Sequence, residues 1–119
     1  MEEHVVSLEE LSNDHVEIVK VPMNDKGGVL YIGSISADDL IEWTAERDTS
    51  DAEGKKSASA RLIMRSLVKG EKDATRIGTP DMVPQIRKMK SANSERLLRA
   101  IFKLNVIGDL RAENAAKNG

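Results

Sequence analysis

The chain has 119 residues, the size of one domain, and a formal net charge of −2. Trp, Tyr and Phe occur once each, so any core must be built from Val, Ile, Leu and Met. Cysteine is absent, which excludes disulfide scaffolds, thiolate metal sites and cysteine nucleophiles, and no apolar run approaches the roughly 18 residues a membrane span requires.

In chain order, Ser7-Leu8-Glu9-Glu10 has the S-x-x-E spacing of a capping box and predicts a helical turn over 8–11, stopped by Ser12-Asn13-Asp14. Beta-branched residues then dominate up to Pro22 and predict a strand over 15–21. Residues 23–28 carry Asn24, Asp25 and the Gly27-Gly28 pair, which is turn chemistry, and 29–35 read as a second strand that closes a hairpin. Ser36 with Asp38 and Asp39 caps a helix over 37–48, with Ala37, Leu40, Ile41 and Thr44 as its apolar face and Trp43 at the edge. Residues 49–56 lack periodicity and read as a loop. Ser57 then caps a helix over 58–69, with Ala60, Ile63, Met64 and Leu67 inward and Gly70 ending it. Residues 71–78 read as a polar connection. Thr79-Pro80-Asp81 opens a helix over 80–90 that buries Met82, Val83, Ile86 and Met89. A last helix follows Ser91-Ala92-Asn93 and runs to about 107, with Leu97, Leu98, Ile101, Phe102, Leu104 and Asn105 at helical spacing. The expected architecture is α+β: an N-terminal antiparallel β-hairpin packed against a bundle of about four α-helices, one domain over 1–108, and a flexible tail over 109–119.

Charge is divided unevenly. Residues 1–53 hold 14 Asp and Glu against three Lys and Arg, whereas residues 54–119 hold 6 against 15. Either the two halves fold together and interleave their charges, or opposite faces steer association with a partner or a second copy. The candidate partner-binding residues are the cations at helical spacing: Arg61, Arg65 and Lys69; Arg87; and Arg96, Arg99 and Lys103. Such stripes would also serve a small nucleic-acid-binding regulator. The acidic first half and the lack of an aromatic stacking platform argue against that reading, and no nucleic acid is expected.

Other candidate chemistry reads as ordinary structure. Asp38, Asp39 and Glu42 could offer oxygens to a hard cation, but an acidic pair at a helix start is normally a cap and a solvated face. Gly54-Lys55-Lys56-Ser57 fails the phosphate-loop pattern, since position 49 is Thr and a second Lys intervenes. His4 and His15 belong to no nucleophilic arrangement. No enzymatic activity, cofactor or metal is expected. Met-Glu-Glu-His at the start is not the basic lead of a secretory signal, so a cytoplasmic location is expected.

The ordered segments carry a resemblance. Val6-Ser7-Leu8-Glu9-Glu10-Leu11, Val16-Glu17-x-Val19-x-Val21-Pro22, Gly27-Gly28-Val29-x-Tyr31-Ile32 and Leu40 to Arg47 resemble the opening of phage tail assembly chaperones. The likeness continues through Ser66-Leu67-Val68, a polar turn reaching Arg76, Pro80-Asp81, Lys90-Ser91-Ala92 and the helix ending Leu104-Asn105. It implies a non-enzymatic protein of an infected or prophage-bearing bacterium. Such a protein binds the tape measure protein and keeps it soluble until tail-tube subunits polymerise around it, and is absent from the mature virion. A frameshifted extension that recruits the tail-tube protein is also implied by the family. A structural phage component is the alternative, and self-association is a further expectation from the charge division.

Overall fold

The computed structural model describes residues 3–23 and 27–107. The expected tail over 109–119 and residues 24–26 of the first turn lie outside the described residues.

The N-terminal elements form near where their caps and β-branched runs place them, although the first strand starts at Ile18 rather than 15 and includes Pro22, and the second ends at Gly33 rather than 35. Helix α1 (Leu8–Ser12) starts at Ser7, whose hydroxyl accepts from the Glu10 amide at 3.1 Å. Strands β1 (Ile18–Pro22) and β2 (Val29–Gly33) pair antiparallel in the register Ile18↔Gly33 to Pro22↔Val29. Gly27, with φ of 79°, takes the left-handed backbone that the turn between them needs. Helix α2 (Ala37–Asp48) starts at Ser36, whose hydroxyl accepts from the Asp39 amide at 3.1 Å.

The middle of the chain departs from the expected elements. Helix α3 spans Ala52–Ser66 and is capped by Asp51, whose carboxylate accepts from the Glu53 amide. The expected loop over 49–56 is therefore mostly helix, because Asp51 supplies a cap earlier and Ala52, Lys55 and Lys56 are good helix formers. Ser57, expected as the cap, is buried inside this helix. At its other end α3 stops at Ser66, and Leu67–Gly70 continues as strand β3. Strand β4 (Asp73–Arg76) returns from it through a turn at 71–72, where a polar connection was expected. The hairpin thus sits in a four-stranded antiparallel sheet of order β1-β2-β3-β4, with Tyr31↔Val68 and Ile32↔Leu67 joining the two halves. Leu67 and Val68 fit a helical stripe equally well, but their pairing with β2 buries both.

The C-terminal helices have other bounds than expected. A 3₁₀ turn at Pro80–Met82 precedes α4 (Val83–Arg87), so the expected helix over 80–90 is broken near its start. Pro84 has no amide to donate and suits only the first turn of a new helix. Helix α5 (Ser91–Leu104) takes in Ser91-Ala92-Asn93, expected to precede it, and ends three residues before the expected 107. Asn105 stops it: its amide group donates to the Ile101 carbonyl at 2.9 Å and its side-chain oxygen accepts from the Ile35 amide at 3.0 Å.

Ile32, Leu62, Ile63, Leu97 and Ile101 are fully buried where the sheet meets α3 and α5. Burying each such side chain contributes about 2 kcal/mol. Trp43 is also buried, with its ring 5.6 Å from Phe102 of α5 and the Arg47 guanidinium 4.9 Å above it. Ile41, expected inward, is exposed, so the inner face of α2 is turned from Ile41 toward Trp43.

Candidate functional site

The seven candidate cations separate into two settings. Arg61 and Arg65, one helical turn apart on α3, face the carboxylates of α2. Arg61 donates to Glu46 at 3.1 Å, and Arg65 lies 2.5 Å from Glu46 and 3.3 Å from Glu42. The side chains of Arg65 and Glu46 are each only 16% exposed, so this is a largely desolvated seam. Arg76 on β4 extends it to Asp39 at 3.3 Å and donates to the Arg65 carbonyl. Arg87 on α4 pairs with Glu53 at 3.0 Å and reaches the Ser57 hydroxyl at 3.3 Å. Lys69 is on β3 rather than on the α3 stripe, and stands 4.0 Å from Asp73. Asp39 and Glu42, two of the three candidate hard-cation ligands, are thus committed to arginines, and among the described residues no group of three or more His, Asp or Glu is placed to hold a metal ion.

Arg96, Arg99 and Lys103 meet a different environment. They line a groove of about 540 Å³ between α5 and β1, the edge strand of the sheet. Its floor is apolar (Val21, Pro22 and Ala100), and Lys20 adds a fourth cation to its rim. The four come together because α5 lies along β1, and Arg96 donates to the Met23 carbonyl at 2.8 Å to fix one end. Among the described residues Arg99 pairs only with Glu95 one turn back, an exposed contact worth little. Pro22, with no amide, blunts hydrogen bonding along this edge. Lys20 escaped notice in the sequence because a single exposed lysine on a strand has no pattern of its own.

A second cavity, of about 680 Å³, lies between the N-terminal segment and the start of α2. Leu8 and Leu11 lie on one wall and Ser34 to Asp38 with Arg76 on the other. Helix α1 buries none of its residues, and Leu8 remains 85% exposed. Val5, Val6 and Leu11 are exposed as well. Asp14 and His15 also line this second cavity, and among the described residues no helix is long and apolar enough to cross a membrane.

No protein-family model matches the sequence, and no curated protein matches it significantly. Among solved structures, the tail assembly chaperone of bacteriophage HK97 is similar, with a TM-score of 0.57 at 17% identity, covering 82% of this chain and 91% of that one. Over that span this protein has the fold of the HK97 tail assembly chaperone.

Proposed function

We propose that this protein is a non-enzymatic chaperone of phage tail assembly. It holds the tape measure protein in soluble form until tail-tube subunits polymerise around it, acts in the cytoplasm of the bacterial host and is left out of the mature virion. The observation that carries this reading is the fold shared with the HK97 protein over most of both chains. The surface supports it. Holding a helical client requires apolar area to cover it and charge to keep the complex in solution, and the groove beside α5 offers both. Arg96, Arg99 and Lys103 are the candidate cations open to a partner there. Arg61 and Arg65 are turned inward to the α2 carboxylates, which removes the main basic stripe that a nucleic-acid reading would use. A frameshifted extension that engages the tail-tube protein would complete the pathway.

The test is co-expression with a tape measure fragment encoded in the same phage or prophage. The expected result is that the fragment stays in the soluble fraction and co-purifies with this protein. Equal precipitation of the fragment with and without it would reject the proposal.

A further inference from the structure

Two features of the surface have complementary chemistry. Residues 3–17 carry Glu3, Glu9, Glu10, Asp14 and Glu17 and no lysine or arginine, together with exposed Val5, Val6, Leu8 and Leu11. A five-residue helix such as α1 is marginal in water without tertiary packing, and here it buries nothing. The groove between β1 and α5 has the inverse composition: an apolar floor and a rim of Lys20, Arg96, Arg99 and Lys103. Within one chain the two are held apart. The Ser34 amide donates to the Glu17 carbonyl at 2.8 Å, and the Glu17 amide donates to the Ser34 hydroxyl at 3.0 Å. This root fastens the segment to the β2 side and sends it toward the start of α2, whereas the groove flanks the opposite edge of β1.

We infer that the acidic, apolar N-terminal segment of one copy seats in the basic groove between β1 and α5 of a second copy. Leu8 and Leu11 then cover Val21, Pro22 and Ala100, and Glu9 and Glu10 meet the four cations of the rim. Arg99 exchanges its exposed intrahelical partner Glu95 for the incoming carboxylates at small cost. The two surfaces differ, so the contact is heterologous: each copy offers an acidic segment at one side and a basic groove at the other. Association therefore grows with concentration, and it weakens with salt because charge steers it. The inference rests on these surfaces and not on the chaperone reading; because the segment fills the groove offered to a client there, a bound client would displace it.

The lack of native cysteine makes a direct test simple. Full-length Leu8→Cys and Ala100→Cys variants are mixed under mild oxidation at low salt. The expected product is a mixed disulfide dimer, several-fold in excess of the dimers either variant forms alone, and lost in about 1 M salt, where the Debye length is about 3 Å. Adding Arg99→Glu and Lys103→Glu to the groove variant should abolish it, with the circular dichroism spectrum unchanged. Light scattering of the unmodified protein should show mass rising with concentration at low salt. A monomer at all concentrations, or mixed dimers no more frequent than self-dimers, overturns the inference. So does a chain carrying both cysteines that closes an internal disulfide at a rate independent of dilution, since the segment would then occupy its own groove.

Discussion

Helices α3 and α5 carry the same kind of basic stripe and use it in opposite ways. On α3, Arg61 and Arg65 are drawn into the seam with Glu42 and Glu46, and the first half of the chain neutralises the second from within. On α5, Arg96, Arg99 and Lys103 meet no opposing helix, and with Lys20 they charge an open groove. The difference arises from what each helix packs against. Helix α3 lies against α2, which follows the acidic Asp38-Asp39 start with Glu42 and Glu46 on the facing side. Helix α5 lies against β1, whose exposed position nearest the groove is a lysine. A stripe of cations at helical spacing is therefore ambiguous until its neighbour is known: one contributes to folding, the other is left for a partner.

The two regions should respond differently to substitution, and the largest effect is expected where the seam is clamped. Gly78 follows β4 and approaches the backbone of α3 so closely that an added Cβ would stand 1.8 Å from the Met64 carbonyl oxygen. Gly78→Ala must push β4 away from α3, and with it Arg76 from Asp39. We expect a loss of about 4 kcal/mol, read as a large fall in thermal midpoint, and a change of less than 1 kcal/mol would show that the close approach is not needed. A smaller loss is expected from Glu46→Ala, which leaves Arg61 and the largely buried Arg65 without their shared carboxylate. Removing one partner of a desolvated pair costs more than the pair contributes, here about 2 kcal/mol in denaturant unfolding. Lys103→Ala, made as the matching change on α5, should stay within about 0.5 kcal/mol. Equal effects at the two positions would break the comparison.

Much of this contrast lay hidden in the sequence, for identifiable reasons. The first hairpin and α2 were legible because their caps and turn glycines act locally: Ser7, Ser36 and Gly27 do what their neighbours require. The α+β class followed from those elements and from the periodicity of α5. The β3–β4 pair was not legible. Leu67 and Val68 complete the helical stripe of Ala60, Ile63 and Met64, and Asp73 to Arg76 has no alternation of apolar and polar residues. Only pairing with Tyr31 and Ile32, more than thirty residues earlier, turns that segment into strand. The same limit applies to the site. Both basic stripes could be read from spacing, but which carboxylates each would meet is a property of the packing. Lys20 and Arg96 join one groove across 76 positions of sequence.

The smallest expected effect concerns Lys69, which spacing grouped with Arg61 and Arg65 and the structure places beside Asp73 instead. Asp73 accepts from the Thr75 hydroxyl at 2.6 Å and from the Thr75 amide at 3.0 Å, and these two bonds, aided by Lys69, hold its carboxyl below the ordinary value of 3.8. A depressed carboxyl contributes stability that is complete above the unfolded value and is lost as pH falls through the folded one. The turn between β3 and β4 should therefore loosen only in that acidic window, with no change near neutrality. A carboxyl NMR titration should place the Asp73 midpoint below 3.8. Thr75→Val, which removes the stronger of the two bonds, should raise that midpoint more than Lys69→Ala does, because a hydrogen bond to the charged form acts at contact while an exposed lysine 4.0 Å away is screened by solvent. An equal response to both substitutions would mean that Lys69 serves the turn as Arg65 serves the seam, and that placing a cation on an exposed hairpin costs it none of its influence.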